Sequence, residues 1–193
     1  MEKDVKSLVY IARSLGLHEV AEYWDRVVNF NRFQTTRFGQ QIVQAFDNCL
    51  KSKRIVLMGA SFKANTNDCR NSCTFEVIRV LLEEDAGSII VYDPFTKADE
   101  FWKEYNWILG SKGNNKVSFQ SKMTHNNDFS TLFMDASAIA FLTDHDFFKK
   151  KDEEMMPYMK KSCLIFDGRR ILQQEVWKKN GYEIFTLGSF HPC

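Results

Sequence analysis

The sequence predicts an α/β fold: a Rossmann-like parallel sheet flanked by helices and preceded by a long N-terminal helical segment. Three observations carry this reading. Residues 1–50 place apolar side chains at spacings of mostly three and four, the period of one helix face. After Lys53 the texture changes to short β-branched runs divided by helical stretches. A strand at 54–58, a helix near 72–84 and a strand at 88–92 follow closely enough to require a right-handed parallel crossover.

Taken in order, Val5, Leu8, Val9, Ala12 and Leu15 form the first stripe, and Leu15-Gly16-Leu17 reads as its C-terminal cap. Val20, Trp24, Val27, Asn31, Phe38, Ile42, Phe46 and Leu50 form the second. At 1.5 Å per residue that helix would run roughly 45 Å, longer than a domain of this size needs internally. Part of its stripe is therefore expected to pack on another domain or subunit, which predicts self-association. Further apolar runs at Ala138–Leu142, Cys163–Asp167 and Tyr182–Leu187 read as parallel strands buried on both faces. The stretch 95–127, with Gly110, Gly113 and the polar Ser111–Lys116, reads as an exposed insertion. The domain reading is a helical segment at 1–50 and an α/β domain at 51–193.

Composition narrows the function classes. At 193 residues the chain can bury a sizeable core, and 44% hydrophobic residues with only 9 Gly and 3 Pro exclude collagen-like and disordered chains. Lys plus Arg (26) nearly cancels Asp plus Glu (25), so no broad basic field is available for nucleic acid or an anionic membrane. No apolar run is long enough to span a bilayer, and Met1-Glu2-Lys3-Asp4 lacks the apolar start of a secretory signal. Five cysteines, an odd number, suit free or buried thiols in a reducing compartment, so a cytoplasmic location is expected. Cys69 and Cys73 have no second pair, and His18, His125, His145 and His191 fall at no zinc-finger interval, so no metal site is expected.

Ligands of open parallel sheets bind beyond the carboxyl ends of the strands, which singles out three segments. The first, Gly59 to Ser72, leaves a strand and enters a helix capped by Asn71 or Ser72, with Lys63 and Arg70 flanking exposed amides. It is either an anion site or a solvated basic loop, and Phe62 within it is either core or a stacking platform. The second, Tyr92-Asp93-Pro94, ends a strand with an acid that serves either ribose hydroxyls or a turn; no G-x-G-x-x-G occurs in the sequence to support the ribose role. The third, Phe166-Asp167-Gly168-Arg169-Arg170, delivers two guanidiniums suited to bidentate phosphate binding to the same sheet edge. Cys73, near a helix start, reads as structural.

These segments, in order, resemble the C-terminal part of UDP-glucose 6-dehydrogenase. The matching residues are Lys3-Asp4-Val5 with Leu8-Val9-Tyr10, Glu19 to Trp24, Asn31 and Gln34 before Arg37-Phe38, and Gly59-x-x-Phe62-Lys63. They continue through Thr66-x-Asp68-x-Arg70-x-Ser72, Tyr92-Asp93-Pro94 and Ile165 to Arg170. The resemblance implies a two-step NAD-dependent oxidation of UDP-glucose to UDP-glucuronate through a thioester. It implies that residues 1–50 hold the central helix on which subunits pair and 51–193 the UDP-binding domain. The family's NAD-binding domain has no counterpart in these residues, and its catalytic cysteine would fall just before Met1. By the same resemblance Asp4 assists the catalytic water, Phe62, Lys63 and Arg169 contact the UDP-sugar, and Arg70 lies at the cofactor side. The chain is then either the substrate-binding half of the enzyme, inactive alone, or a non-catalytic subunit pairing with full-length enzyme. Departures occur at Asp144-His145, where the family has an acid followed by Trp, and at Ala64 to Asn67, where it has a lysine, an acid and a glycine.

Overall fold

The computed structural model describes residues 2–108, 123–125 and 131–188. Helix α1 (Glu2–Ser14) ends where the sequence placed its cap. Gly16 takes the left-handed conformation (φ +73°), and the Leu17 and Gly16 amides donate back to the carbonyls of Ala12 and Arg13, the paired bonds of a Schellman turn. Helix α2 (His18–Gln44) stops earlier than its apolar stripe suggested. Asp47 and Asn48 adopt positive φ, which breaks the helix and returns Leu50, still buried, to the core.

The sheet contains β1 (Arg54–Met58), β2 (Ser88–Tyr92), β3 (Met123–His125), β4 (Ala138–Phe141), β5 (Leu164–Asp167) and β6 (Ile184–Thr186). All pairings are parallel, in the order β3-β2-β1-β4-β5-β6. Because side chains alternate along a strand, the sheet feeds two separate cores. Ile55, Leu57, Ile89, Val91, Ala138 and Ala140 face α2, α3 (Cys73–Glu83) and α4 (Ala98–Ile108), whereas Val56, Met58, Ile90, Tyr92, Ile139 and Ile165 face Phe133, Phe148, Met155 and Trp177. That second layer is built from short elements: 3-10 turns at Phe148–Lys150 and Met156–Tyr158 around α5 (Asp152–Met155), and α6 (Gln174–Lys179).

The two halves of α2 have different surroundings. Phe38, Ile42 and Val43 join the sheet core, and Gly39 lets the helix approach α3 so closely that a Cβ there would press on Val80. The N-terminal half packs with α1 in a small separate cluster of Val9, Ala12, Ala21 and Trp24. Val20, Tyr23, Val27 and Phe30, spaced three and four apart, stay exposed along one face, as does Phe33.

The reading of 95–127 as an exposed insertion needs correction. Residues 98–108 form α4, with Phe101 fully buried and stacked on Phe75, ring centroids 5.4 Å apart, and Met123–His125 completes the sheet edge as β3. The adjoining glycine-rich run drew the reading toward a loop, although Phe101, Trp102, Tyr105 and Ile108 carry a helical period. Residues 109–122, including Gly110 and Gly113, lie outside the described residues.

Candidate nucleotide crevice at the switch point

The strand order reverses between β1 and β4, so their crossover connections leave on opposite faces, and the carboxyl edge there is the position at which open parallel sheets form a ligand crevice. Gly59 starts the loop after β1 with φ +107°, and any Cβ there would collide with Thr143 beyond β4. The loop is then pinned from several elements. Thr74 donates to the Gly59 carbonyl at 2.8 Å, and Thr143 to the Ser61 carbonyl at 2.8 Å. Ser72, confirmed over Asn71 as the cap of α3, accepts from the Thr74 amide.

Asp93 is the centre of this arrangement. Its Oδ2 accepts from the Ala60 amide (2.7 Å), the Ser61 amide (2.9 Å) and the Ser61 hydroxyl (3.0 Å), and its Oδ1 from the amides of Phe95 (2.9 Å) and Thr96 (3.0 Å). Burial alone would raise its carboxyl pKa. Hydrogen bonds from His145, Ser61, Ala60 and Phe95 overcome that and hold it far below the usual carboxylate range. Of the two roles open to Asp93, the turn is the one built: at 2% exposure, with both oxygens engaged, it offers nothing to a ribose.

His145 lies fully buried against it, Nε2 3.0 Å from Asp93 Oδ2 and 2.9 Å from Ser61 Oγ. Its Nδ1 accepts from the Asn65 amide at 3.0 Å, so this nitrogen carries no proton and Nε2–H is the donor. Ser61 and Asp93 thus meet the same ring nitrogen, and Ser61 is fully buried. A hydrolytic relay needs the two on opposite nitrogens, so this is a structural network.

The positions expected to bind ligand divide into groups. Phe62 (39% exposed) and Lys63 project from the β1 loop, with the Lys63 ammonium 5.3 Å from the centroid of the Phe62 ring. Arg169 sits in the loop after β5, two strands away and therefore roughly 10 Å across the same edge. Asp167 shapes that loop by accepting from the amides of Arg169, Ile171 and Leu172. Gly168 is required where a Cβ would meet the Phe141 carbonyl and the Phe38 ring. The Arg169 guanidinium reaches back to the crevice, Nε donating to the Leu142 carbonyl (2.5 Å) and Nη2 to Cys73 Sγ (3.2 Å). Arg70 instead makes a bidentate pair with Asp68, at 2.9 and 2.6 Å, on the exposed surface. Asp4 lies on the first turn of α1, away from the sheet core, although the neighbouring Lys3 is near enough to help lower the Asp68 pKa.

Sequence reading missed the Asp93–Ser61–His145 network, whose one visible signal was the Asp144-His145 departure. The described residues do not fit a dinucleotide at this crevice: Asp93 is engaged, and the loop after β1 lacks the glycines that let a backbone approach a pyrophosphate. Among the described residues no group of three or more His, Cys, Asp or Glu side chains is placed to hold a metal ion. No helix among them is long and apolar enough to cross a membrane.

A Rossmann-type strand order with Lys63 and Arg169 on its switch-point edge defines the class: a doubly wound α/β domain. Residues 56–174 match the model of the UDP-glucose/GDP-mannose dehydrogenase family, UDP binding domain, and the chain belongs to that family. It is 32% identical over 188 residues to UDP-glucose 6-dehydrogenase of Drosophila melanogaster, covering 97% of this chain and 39% of that one. It is 33% identical over 189 residues to the Caenorhabditis elegans enzyme of the same name, covering 97% and 38%. The chain thus spans about two fifths of the length of these relatives. Among solved structures, a UDP-glucose dehydrogenase from Pyrobaculum islandicum superposes with a TM-score of 0.62 at 21% identity, covering 96% of this chain and 36% of that one, which supports the fold.

Proposed function

We propose that the crevice between β1 and β4 binds the diphosphate of UDP-glucose, the compound named for the curated relatives. Lys63 and Arg169 meet the phosphates, and Phe62 packs beside the nucleotide sugar. UDP-glucuronate, carrying the same UDP group, occupies the same site. The observation that carries this reading is Arg169, drawn from the β5 loop to the Leu142 carbonyl at the mouth of the crevice, on the same edge as Lys63. A planar guanidinium there is suited to a bidentate phosphate contact.

Oxidation of the sugar by NAD is proposed for this chain only in company with a dinucleotide-binding unit, since hydride transfer needs a nicotinamide held against the sugar carbon. Alone, these 193 residues bind the nucleotide sugar and do not reduce NAD. Asp4, as the residue assisting water, and Arg70, at the cofactor side, take their roles from resemblance and act only in such an assembly. The free thiols of Cys49, Cys69, Cys73 and Cys163 support a reducing, cytoplasmic setting.

A second reading rests on α2, where Val20, Tyr23, Val27, Phe30 and Phe33 leave an apolar face exposed. It supports pairing through the helix, either with a second copy or with a full-length enzyme as a non-catalytic subunit. Thermal unfolding tests the main reading. UDP-glucose at a hundredfold excess over its Kd is expected to add about 2.7 kcal/mol of stability, with no comparable effect of NAD. An unchanged melting temperature at millimolar UDP-glucose overturns it. Mixing with a full-length relative tests the second reading: mixed oligomers support it, and a strictly monomeric chain defeats it.

A further inference from the structure

We propose that His145 is the positioning residue of the nucleotide crevice, holding the Phe62–Lys63 loop in its binding shape through the Asn65 amide; this rests on the UDP-sugar reading above. The loop leaves the sheet at Gly59 and must turn back at Asn65, which takes a left-handed φ of 56°. At that turn it is tied to the segment after β4, the Asn65 amide to His145 Nδ1 (3.0 Å) and Asn65 Nδ2 to Asp146 Oδ2 (3.0 Å). The Asp146 bond is on the exposed surface, whereas the His145 ring is fully buried.

The ring can accept at Nδ1 only because its proton is on Nε2, where Asp93 receives it. Asp93 also holds the other end of the loop through the amides of Ala60 and Ser61. One carboxylate and one imidazole therefore fix both feet of the segment that carries Phe62 and Lys63, and the rings of Phe95 and Phe148 close over the imidazole at 5.0 and 5.3 Å. A preorganised loop binds more tightly because less conformational freedom is lost with the ligand.

Two substitutions separate the ring nitrogens. His145→Asn sets an amide oxygen where Nδ1 lies and keeps the acceptor for Asn65. His145→Gln sets an amide nitrogen where Nε2 lies, keeping the donor to Asp93 and losing that acceptor. Calorimetric titration with UDP is expected to give His145→Asn an affinity within about twofold of wild type and His145→Gln one weakened about tenfold, the size of one lost buried hydrogen bond. Native-state amide exchange is expected to show Asn65 protected in the wild-type chain and in His145→Asn, and unprotected in His145→Gln. A merely structural role would instead lower the melting temperature of both variants and leave the order of their affinities unrelated to Asn65. Equal affinities for His145→Gln and wild type overturn the proposal. So does an unprotected Asn65 amide, or an imidazole nitrogen NMR spectrum showing the proton on Nδ1, in the wild-type chain, a measurement that needs no variant to fold. A wild-type chain that binds no UDP overturns the nucleotide reading itself; His145's hold on the loop is then decided by the exchange of Asn65.

Discussion

Asp93 and Asp167 flank the same crevice, one following β2 and the other ending β5, on either side of the central β1–β4 pair. Both are buried and both accept backbone amides, yet their reach differs. Among the described residues Asp167 binds its own loop, through Arg169, Ile171 and Leu172. Asp93 binds its own turn, the loop after β1 and the imidazole after β4. The first shapes a single turn that delivers Arg169; the second joins three strand ends into one rigid edge. An acid at the end of a parallel strand is thus as readily a structural tie as a ligand group, and its burial and amide partners tell which.

Neutralising each acid in turn separates the two roles. Asp93→Asn leaves buried amides facing an amide nitrogen in two loops and is expected to cost about 3–4 kcal/mol in urea unfolding. Asp167→Asn, whose described partners are local, is expected to cost about 2 kcal/mol. Equal costs would remove the distinction.

Acid titration sharpens the same point. The folded Asp93 carboxyl lies far below its unfolded value, so the unfolded chain binds the proton more readily. Its contribution is complete above an unfolded pKa of about 3.9 and is lost as pH falls from there toward the folded value. Wild-type stability should therefore decline below about pH 4, more steeply than that of Asp93→Asn. Parallel acid limbs would contradict the assignment.

Phe30→Asp acts away from this edge, on the exposed face of α2. Stability of the monomer is expected to change by no more than about 0.5 kcal/mol, because the ring is already largely in water, while self-association measured by sedimentation is lost. A wild-type chain that sediments as a monomer would remove the pairing face from the account.

Much of the architecture was legible in the sequence because its signals are local. β-Branched runs marked β1 and β2, and Gly16 marked the end of α1. Where local signals conflicted, the reading failed: the apolar stripe continued past Asp47 and Asn48, whose positive φ ends α2, and a glycine-rich run masked α4. The site divides similarly. Lys63 and Arg169 could be assigned to one edge because parallel topology brings every post-strand loop there. The partnership of Ser61, Asp93 and His145 could not, since it joins three loops far apart in sequence and depends on which ring nitrogen carries the proton. Arg70 was likewise legible only in part, since its pairing with Asp68, two residues away, is a local contact that spacing alone does not reveal.

Calorimetric titration of the wild-type chain, Lys63→Ala and Arg169→Ala with UDP-glucose tests whether these two cations hold the diphosphate. Saturable wild-type binding, weakened roughly ten- to hundredfold by each substitution, is the predicted result for charge-assisted phosphate contacts. Binding unaffected by both substitutions, or absent from the wild-type chain, would contradict it.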